Sequence, residues 1–303
     1  MKKRVLITGA NGQQGGAVVK QLLNNEYTVR VFVRSDESVE RFTAHGIEVA
    51  IGTYDNSNSL RKALQDVNYV FLTYPVQFEM QTALAYCEAF IQAANDSLVE
   101  RIVYNTSAWY PDNTEGTLLQ EIRKHMELAF QASGLPFVIL RPTLYLNNFF
   151  GGWSLPNLLQ QGVLAYPVEA NQTLAWTTHE LSAAYALKAF EQPHIVGNRY
   201  DIANYLLTGN EIAEKFTAFL QRNIRYEFID PLVFEKKLAQ QAGTKIAREV
   251  ADSYRYIYNH PENYQTDTTK TILGNGPLKR PSLEAWLLTQ SEILQYPFPV
   301  INY

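Results

Sequence analysis

The chain has 303 residues, of which 46% are hydrophobic and 18% are charged, and its formal net charge is −4. These values are ordinary for a globular protein of one large domain or two. The weak negative charge creates no general attraction for nucleic acid, and every apolar stretch is shorter than the ~18 residues that a membrane span requires. We therefore expect no direct nucleic-acid partner and no membrane segment.

Cysteine and histidine give no indication of a metal or disulfide framework. The single cysteine, Cys87, lies in the helical stretch "LAYCEAFIQAA", which is typical of a buried thiol. The five histidines have no metal-ligand spacing, so we expect no metal site. The basic start "MKKRVLI" runs directly into glycine-rich sequence, so we expect no signal peptide and a cytoplasmic protein.

The first half of the sequence alternates between strand and helix patterns. Short apolar runs rich in Val and Ile predict parallel strands that are covered on both faces. These strands lie at residues 4–8, 28–33, 47–51, 69–73, 101–106 and 137–140. Amphipathic segments predict helices at 17–25, 37–45, 60–65 and 80–94, and one that ends near residue 133. The alternation predicts an α/β fold with a Rossmann-type doubly wound parallel sheet in residues 1–142.

After Pro142 the sequence becomes more aromatic and less regular. The expected elements are strands at 198–203 and 225–229 and helices at 211–221 and 234–258, the last broken near Gly243. Ser282 is expected to cap a terminal helix. We expect residues 143–303 to form a smaller, helix-rich mixed α/β lobe for a substrate or a partner, with return strands to the sheet.

The segment "TGANGQQGG" places a glycine-rich loop between the first strand and the first helix. Glycines in such a loop permit a tight turn, a close approach of pyrophosphate to the backbone, and close packing of helix on strand. The helix N-terminus adds unpaired N–H groups and a positive dipole end. We therefore expect a dinucleotide site, with these cofactor-binding residues in the loop: Gly9, Asn11, Gly12, Gln13, Gln14 and Gly15.

The second strand, "TVRVFVR", ends in Arg34, where NAD-binding folds usually carry an acidic residue for the ribose 2′-hydroxyl. A guanidinium attracts a 2′-phosphate and has no comparable partner on a bare hydroxyl. NADP(H) is therefore the favoured cofactor. NAD(H) stays open, because Asp36 lies two residues further on.

With "TGANGQQGG", "VFVRS", "LRKAL", "GLPFVILRPTLYLNNF" and "LEAWL", the chain resembles the NmrA-like family, atypical members of the short-chain dehydrogenase superfamily. The resemblance covers most of the chain. It implies a Rossmann sheet with a small mixed lobe, and NADP as the cofactor that this fold binds. Some members resemble NADPH-dependent reductases of quinones or dyes, and others resemble redox sensors. The implied partner is therefore either a quinone-like or small aromatic substrate or, for a sensor, another protein.

The chain departs from the family after its third strand, where Gly52-Thr53 stands in place of Gly-Asp. Contacts to adenine are therefore expected from Thr53, or from Tyr54 by packing. At the end of the fourth strand, a further set of residues is expected over the nicotinamide half of the crevice. This set is Thr73, Tyr74 and Pro75.

Typical short-chain dehydrogenases use a Tyr-x-x-x-Lys pair, in which the tyrosine transfers a proton and the lysine binds ribose. The matching helix, "LLQEIRKHMELAFQASG", has Gln120 instead of the tyrosine, and the family's lysine aligns with either Lys124 or Arg123. Lys124 is a candidate for ribose binding and catalysis, but the usual proton donor is absent. Ser107 in "YNTSAW" takes the position of the superfamily serine, and Tyr110 lies outside the helix.

A quinone can be reduced without a dedicated acid, because it is electron-poor and solvent can supply the proton. The reaction needs a flat apolar slot, for which the candidates are Tyr74, Phe78, Trp109, Tyr145, Phe149, Phe150, Trp153 and Trp176. The expected substrate residues are Tyr145, Asn147, Asn148 and Trp109. We predict an NADPH-binding oxidoreductase for a quinone-like or flat aromatic acceptor, with a non-catalytic NADP(H) redox sensor as the alternative.

Overall fold

The computed structural model describes residues 2–23, 25–112, 116–265 and 281–294. The chain divides into two compact units. The first unit contains Met1–Thr143 and Thr177–Ile202. The second contains Leu144–Trp176 and the described parts of Ala203–Asp267 and Lys279–Tyr303. The chain therefore leaves the first unit after Thr143 and returns to it for one helix and one strand.

The described residues contain short strands throughout both units. In chain order the strands are β1 (Lys3–Thr8), β2 (Tyr27–Val33), β3 (Glu48–Ile51), β4 (Tyr69–Leu72), β5 (Arg101–Asn105), β6 (Phe137–Pro142), β7 (Leu144–Tyr145), β8 (Val163–Tyr166), β9 (Leu174–Thr177), β10 (Arg199–Ile202), β11 (Tyr205–Leu207) and β12 (Arg225–Phe228). The sequence patterns did not indicate β7, β8, β9 or β11. These strands are only two to four residues long, which is too short for a reliable periodic signal.

The helices of the described residues lie between and after these strands. In chain order they are α1 (Gln13–Leu22), α2 (Val39–Thr43), α3 (Ser57–Leu64), α4 (Met80–Asn95), α5 (Leu118–Ala132), α6 (Leu155–Gln161), α7 (His179–Glu191), α8 (Gly209–Leu220), α9 (Pro231–Ala242), α10 (Thr244–Asn259), α11 (Leu283–Thr289) and α12 (Ser291–Leu294). The expected break near Gly243 separates α9 from α10. Ser282 caps α11, since its side chain accepts a hydrogen bond from the Ala285 N–H at 3.1 Å.

The first unit is built on a sheet whose described strands run in the order β10-β6-β5-β4-β1-β2-β3, and every neighbouring pair is parallel. Val5 of β1 pairs with Val29 on one side and Tyr69 on the other. The connections change direction between β1 and β4, and ligands of such sheets bind at the carboxyl ends of the strands beside this switch. The predicted Rossmann-type sheet is thereby confirmed.

Apolar side chains cover both faces of this sheet. Val5 and Ile7 face one layer, which includes Val18 of α1 and Phe190 of α7. Leu6 faces the opposite layer with side chains of α3, α4 and α5. Because successive residues of a strand point to opposite faces, β1 needs an uninterrupted apolar run to fill both layers. The sheet is therefore a rigid support for the loops at its carboxyl edge.

The second unit contains a three-stranded sheet in the order β11-β9-β7 and a parallel pair of β12 with β8 among its described residues. Its core is largely aromatic. The ring of Phe149 lies 5.0 Å from that of Tyr166, 5.7 Å from Trp176 and 6.3 Å from Phe216. Phe150 packs similarly against Trp286, with ring centroids 5.6 Å apart. Most of the aromatic surplus seen in this half of the sequence therefore fills a core.

Candidate functional site

The glycine-rich loop follows β1 and holds a compact turn. Gly9 has a left-handed backbone with φ of +64°, and its carbonyl accepts a hydrogen bond from the Gly12 N–H at 2.9 Å. A β-carbon at Gly15 would lie 2.4 Å from the same carbonyl oxygen. The turn and the close packing of α1 on β1 therefore explain why residues 9 and 15 are glycines.

Gly12 has no comparable role inside the fold. It precedes α1 with ordinary extended backbone angles, φ −89° and ψ 172°, and a β-carbon there would meet only the Gly9 oxygen at 3.4 Å. In the described structure no side chain caps α1 and no acidic residue lies in its first turn. The exposed first N–H groups of α1 and the space beside Gly12 thus fit an approaching pyrophosphate.

Basic side chains lie next to this loop. Arg34 follows β2 and is exposed, and its side chain forms no hydrogen bond or ion pair with the described part of the chain. Arg41 of α2 donates from Nη2 to Oδ1 of Asn11 in the loop at 2.6 Å. The Asn11 amide also donates to the Ser38 hydroxyl at 3.1 Å. Arg34 and Arg41 supply positive charge on the β2 side of the loop, where a 2′-phosphate would lie.

Sequence reasoning did not single out Arg41. In the sequence, Arg41 is only a second arginine seven residues after Arg34. A single arginine of this kind is typical of the solvent-exposed face of a helix. The structure adds an open cavity of about 460 Å³ beside the loop. Its lining includes Asn11, Gly12, Gln13, Lys20, Arg41, His45 and His179.

His179 begins α7 and is a buried member of this lining, with 7% of its surface exposed. Burial lowers the pKa of its imidazole to about 4, although Glu180 acts in the opposite direction. The side chain is therefore neutral at physiological pH. It contributes no positive charge to the cavity under those conditions.

The carboxyl ends of β1, β4 and β5 are joined through hydroxyl groups. The Thr8 hydroxyl donates to the Thr73 carbonyl and accepts from the Thr73 N–H, both at 2.8 Å. The Thr73 and Ser107 hydroxyl oxygens are 3.0 Å apart. Ser107 has a φ of +66°, which is unfavourable for a side chain of this kind, and its N–H donates to Asn105 at 2.8 Å. These bonds hold the Ser107 hydroxyl beside the end of β4.

The two residues expected near adenine behave differently. The Thr53 hydroxyl donates to the Asp55 carboxylate, on the segment after β3. Tyr54 is buried, its hydroxyl donates to the Thr73 carbonyl at 3.1 Å, and its ring lies 4.9 Å from that of Tyr74. Tyr54 therefore supports the wall of the site by packing. Burial raises the pKa of both tyrosines, so both phenols stay protonated at neutral pH.

A second cavity, of about 40 Å³, opens beside the ends of β4 and β5. Its described lining is Tyr74, Pro75, Val76, Gln77, Ala83, Tyr86, Tyr104, Asn105, Thr106, Ser107, Leu119, Ile122, Arg123 and Met126. We call this space the strand-end cavity. It brings together Tyr74 and Pro75, which were expected over the nicotinamide half of the crevice, and Ser107, which takes the position of the superfamily serine.

The structure separates the two candidates for the family's lysine position. Arg123 lines the strand-end cavity, donating from Nε to the Thr106 carbonyl at 2.8 Å and from Nη1 to the Leu119 carbonyl at 2.9 Å. Lys124 is not among the described residues of that lining, and its Nζ lies 3.9 Å from Oε1 of Glu121. Gln120 accepts a hydrogen bond from the Thr117 N–H at 2.8 Å and completes the cap of α5.

Tyr110 and Trp109 belong to a network that fixes the segment after β5. The buried Tyr110 hydroxyl donates to Glu127, and burial raises the pKa of this phenol. Trp109 donates from Nε1 to Asp201 of β10 at 3.1 Å. Asp201 also accepts from Arg141 of β6 at 2.6 Å. The indole of Trp109 is therefore held against charged side chains of β6 and β10, beyond the Ser107 turn.

The remaining expected substrate residues lie in the second unit. Tyr145 of β7 is buried, and Asn147 is half-buried in the turn that follows. Asn148 donates to the Tyr166 hydroxyl at 2.8 Å, and this hydroxyl is 2.8 Å from that of Tyr254. Asn148 thus closes a polar chain inside the aromatic core.

Within the described ranges, no three His, Cys, Asp or Glu side chains are grouped so that they could hold a metal ion. None of the helices in the same ranges is both long and apolar enough to cross a lipid bilayer.

The parallel sheet, its reversal beside β1 and the glycine turn before α1 define an α/β protein of the Rossmann type. The chain belongs to the NmrA-like family, whose family model matches residues 1–275. Among curated relatives, the NAD(P)H azoreductase of Xenophilus azovorans is 22% identical over 273 residues, which is 88% of this chain and 91% of that protein.

Solved structures share the fold over nearly the whole chain. The NADPH-dependent quinone oxidoreductase of Escherichia coli, complexed with NADPH, has a TM-score of 0.74 and 22% identity, covering 95% of this chain and 99% of that one. The triphenylmethane reductase of Citrobacter sp., complexed with NADP(H), has a TM-score of 0.72 and 19% identity, covering 91% and 96%. At these identities the likeness establishes the shared fold.

Proposed function

We propose that this protein is an NADPH-dependent reductase that transfers hydride to a quinone-like or flat aromatic acceptor. The observation that carries the cofactor proposal is Gly12. The fold leaves room for a β-carbon at this position, but a bound pyrophosphate beside the uncapped start of α1 would not. Family membership and the nucleotide-bound relatives of the same fold support the same cofactor class.

The described residues divide between the parts of such a cofactor. Gly9, Gly12, Gln13 and Gly15 would hold the pyrophosphate at α1, with Asn11 and Gln14 at the edges of the loop. Thr53 would face the adenine half. Thr73, Tyr74 and Pro75 would bound the nicotinamide half, and Lys124 would contact the ribose. When bound, the nicotinamide supplies the hydride, and the chain contributes orientation and exclusion of water.

Preference for NADP(H) over NAD(H) is part of this proposal. Arg34 is exposed on the β2 side of the loop and has no internal partner among the described residues. Arg41 is tied to the loop through Asn11. Two guanidinium groups at this edge favour a phosphate dianion over a bare ribose hydroxyl. Asp36 and Glu37, in the short turn after Arg34, leave NAD(H) as the competing ligand to be tested.

The acceptor side of the proposal rests on the strand-end cavity and its aromatic surroundings. Tyr74, Tyr86 and Tyr104 line it together with apolar side chains. The relatives' names include an azoreductase, a quinone oxidoreductase and a triphenylmethane reductase, and all three describe conjugated acceptors. Such acceptors take a hydride without a dedicated acid, which agrees with Gln120 at the usual tyrosine position.

Gln120 at the usual tyrosine position is also compatible with a second function, a non-catalytic NADP(H) sensor. A protein that binds NADP(H) and signals it to a protein partner needs no proton donor and no turnover. The two functions differ in whether bound NADPH is consumed. A sensor would bind NADPH tightly and leave its absorbance unchanged with every acceptor.

The test is NADPH binding by calorimetry, followed by NADPH absorbance with benzoquinones, naphthoquinones, azo dyes and triarylmethane dyes. We expect turnover with at least one acceptor class, and its loss in Gly12→Trp, in which the indole fills the pyrophosphate space. A thermal melt of Gly12→Trp checks that the fold is retained. Tight NADPH binding without oxidation by any acceptor would exclude the reductase and leave the sensor.

A further inference from the structure

We propose that Thr73 is a positioning residue that directs the Ser107 hydroxyl to a carbonyl oxygen of the acceptor. This inference rests on the proposed reductase function and names quinones, and not triarylmethane dyes, as the acceptors that the strand-end cavity serves. The relatives' names include both kinds of acceptor, so they do not distinguish them. The arrangement of hydroxyl groups at the ends of β4 and β5 does.

Ser107 is held in a strained conformation. Its φ of +66° lies in the left-handed region, which disfavours residues other than glycine. The Asn105 carboxamide maintains this turn, because its Oδ1 accepts the Ser107 N–H at 2.8 Å and its Nδ2 donates to the Ser182 hydroxyl at 3.2 Å. Glycine would fit the same backbone without strain, but it would lack the hydroxyl. Strained residues of this kind concentrate at functional sites, where the side chain has a use.

Thr73 holds its own hydroxyl beside Ser107 with little freedom. Its main chain is fixed by the Thr8 hydroxyl, which accepts the Thr73 N–H and donates to the Thr73 carbonyl, both at 2.8 Å. Its methyl group lies against Gly9, where a β-carbon would be 2.5 Å from Cγ2 of Thr73. A β-branched side chain has few χ1 rotamers, so a fixed methyl group also fixes the hydroxyl. Oγ1 of Thr73 is thereby held 3.0 Å from Oγ of Ser107.

The two hydroxyl groups carry two hydrogens, and one hydrogen bond joins them. Neither side-chain oxygen forms another hydrogen bond with the described part of the chain. One hydroxyl hydrogen is therefore available to a ligand. Ser107 belongs to the described lining of the strand-end cavity, and Thr73 does not. When an acceptor oxygen enters, Ser107 donates to it and accepts from Thr73, and each hydrogen bond strengthens the other.

The neighbouring hydroxyl groups at the end of β5 are already engaged. Thr106 donates to two main-chain carbonyl oxygens, at 2.8 and 3.2 Å. Tyr104 donates to the Met126 sulfur at 3.6 Å. The cavity volume of about 40 Å³ admits the oxygen of an acceptor, whereas a whole ring must stay at the mouth. Of these three strand-end hydroxyls, Ser107 carries the one that the described residues leave for that oxygen.

Reduction of a quinone creates a negative charge at such an oxygen. Hydride transfer from NADPH gives NADP⁺ and the hydroquinone monoanion, in which an electron pair of the former carbonyl group lies on oxygen. A proton from solvent then completes the hydroquinone. A donor that is already in position stabilises the oxyanion more than the neutral carbonyl, because the charge strengthens the hydrogen bond. Ser107 therefore lowers the barrier for a quinone, and Thr73 keeps the Ser107 hydrogen directed to the oxygen.

A triarylmethane dye gives no such charge. The cationic dye accepts a hydride at its central carbon and becomes a neutral leuco dye, and no oxyanion forms. The hydroxyl pair then has no developing charge to stabilise. Loss of the Thr73 hydroxyl should therefore affect the two acceptors differently, whereas a general loss of structure would affect both.

The first experiment compares kcat/KM for 1,4-naphthoquinone and for malachite green at saturating NADPH. Ser107→Ala should lower the quinone-to-dye ratio by about 100-fold, the effect of losing one donor to an oxyanion. Thr73→Val keeps the shape but loses the hydroxyl, and should lower the ratio by about 10-fold. Thr73→Ser keeps the hydroxyl and should stay close to the wild type. Thr217→Val is the matched control: its hydroxyl bonds the Ile224 main chain in the second unit, and its loss should leave the ratio unchanged.

The double variant tests whether Thr73 acts through Ser107. In the Ser107→Ala background, Thr73→Val should cause no further loss of quinone reduction, because the hydroxyl that it directs is already absent. NADPH affinity, measured by calorimetry, should be nearly the same in all these variants. Thr73→Ala takes the place of Thr73→Val if the valine variant fails to fold. If the wild type reduces only the quinone, this cycle decides on the quinone rates alone.

The second experiment needs no turnover. Difference infrared spectroscopy records the carbonyl band of 1,4-naphthoquinone, with isotopically labelled carbonyl carbons, bound in the presence of NADP⁺. A hydrogen bond weakens the C=O bond. We therefore expect the band at a lower frequency in the wild type and in Thr73→Ser than in Ser107→Ala, with Thr73→Val between these limits.

The results separate the two proposals. A wild type that reduces the dye but no quinone, or equal losses for both acceptors in Thr73→Val, overturns the role of Thr73 and leaves the reductase intact. Additive losses in the double variant, or a fall in NADPH affinity that matches the fall in rate, do the same. NADPH binding without oxidation by any acceptor overturns the reductase instead. In that case a carbonyl band that is identical in the wild type and in Ser107→Ala overturns the hydrogen bond as well.

Discussion

The methyl group of Thr73 occupies the space that a β-carbon on Gly9 would need: such a carbon would lie 2.5 Å from Cγ2 of Thr73. This contact joins the glycine loop after β1 to the end of β4, across the point where the sheet reverses direction. The Thr73 hydroxyl at the same time lies 3.0 Å from that of Ser107. One side chain thus contacts both the glycine loop and the Ser107 hydroxyl, which lines the strand-end cavity.

The first prediction tests this contact. Gly9→Ala should lower the free energy of unfolding by about 3 kcal/mol, from a left-handed backbone and the clash with Thr73. Gly46→Ala is the matched control, because Gly46 also has a left-handed φ, +71°, but nothing within 4 Å of its β-carbon position. It should cost only about 1 kcal/mol.

Thr73→Ser removes the methyl group and keeps the hydroxyl. In the double variant with Gly9→Ala it should recover part of the lost stability, as measured by urea unfolding. Equal losses for Gly9→Ala and Gly46→Ala would show that the clash is relieved elsewhere.

The second prediction separates two glycines of the loop. Gly12→Ala should melt close to the wild-type temperature, since its β-carbon meets the Gly9 oxygen at 3.4 Å, but should weaken NADPH binding about 10-fold or more. Gly15→Ala should unfold at a clearly lower temperature, because its β-carbon would lie 2.4 Å from that oxygen. Thermal melts and calorimetry give both quantities. Unchanged NADPH affinity in Gly12→Ala would remove the main support for the pyrophosphate site.

The third prediction concerns cofactor choice. Arg34→Ala should weaken NADPH binding by about 10- to 100-fold and leave NADH binding nearly unchanged, because only the 2′-phosphate loses a charged partner. Arg41→Ala should act in the same direction and also free Asn11. Arg248→Ala, an exposed arginine in the second unit, serves as the charge control. A wild type that prefers NADH would contradict the assignment of Arg34.

The fourth prediction is a pH dependence that His179 imparts to stability. Burial lowers the pKa of its imidazole from 6.5 to about 4, so between these values the unfolded chain binds more protons than the folded protein. Stability should therefore be unaffected by this group above pH 6.5 and should fall as the pH decreases towards 4, by up to about 3 kcal/mol.

His179→Gln should remove that fall, which is measured as the difference in unfolding free energy between pH 7 and pH 4.5. His194→Gln, at an exposed histidine, should behave as the wild type does. Parallel pH profiles for the wild type and His179→Gln would mean that the imidazole is charged when the protein is folded.

Much of the first unit could be predicted from the sequence, because its signals are local. Continuous Val- and Ile-rich runs indicate strands buried on both faces, and the structure confirms the sheet that they predict. The glycine spacing similarly reflects a turn, a helix start and a strand–helix contact within one short segment. The roles of the expected cofactor and substrate residues stay predictions.

The roles of the aromatic residues could not be assigned from local sequence patterns. The sequence offered Phe149, Phe150 and Trp176 as candidates for a substrate slot, whereas the structure places all three in the core of the second unit. Apolar area alone does not distinguish a core from a slot, since both are lined by the same side chains. Only the tertiary contacts of each ring show whether it belongs to a core or lines a slot.

The sheet, the glycine loop and the lack of a tyrosine at the usual place on α5 could be inferred from sequence patterns, because each depends on neighbouring residues in the chain. The folded chain was needed to show that Arg123, and not Lys124, lines the strand-end cavity. Adjacent helical residues point about 100° apart, so the packing of α5 on the sheet sets which of them faces the strand ends. The pairing of Arg41 with Asn11 also depends on tertiary structure, because the two residues meet only when α2 folds beside the glycine loop.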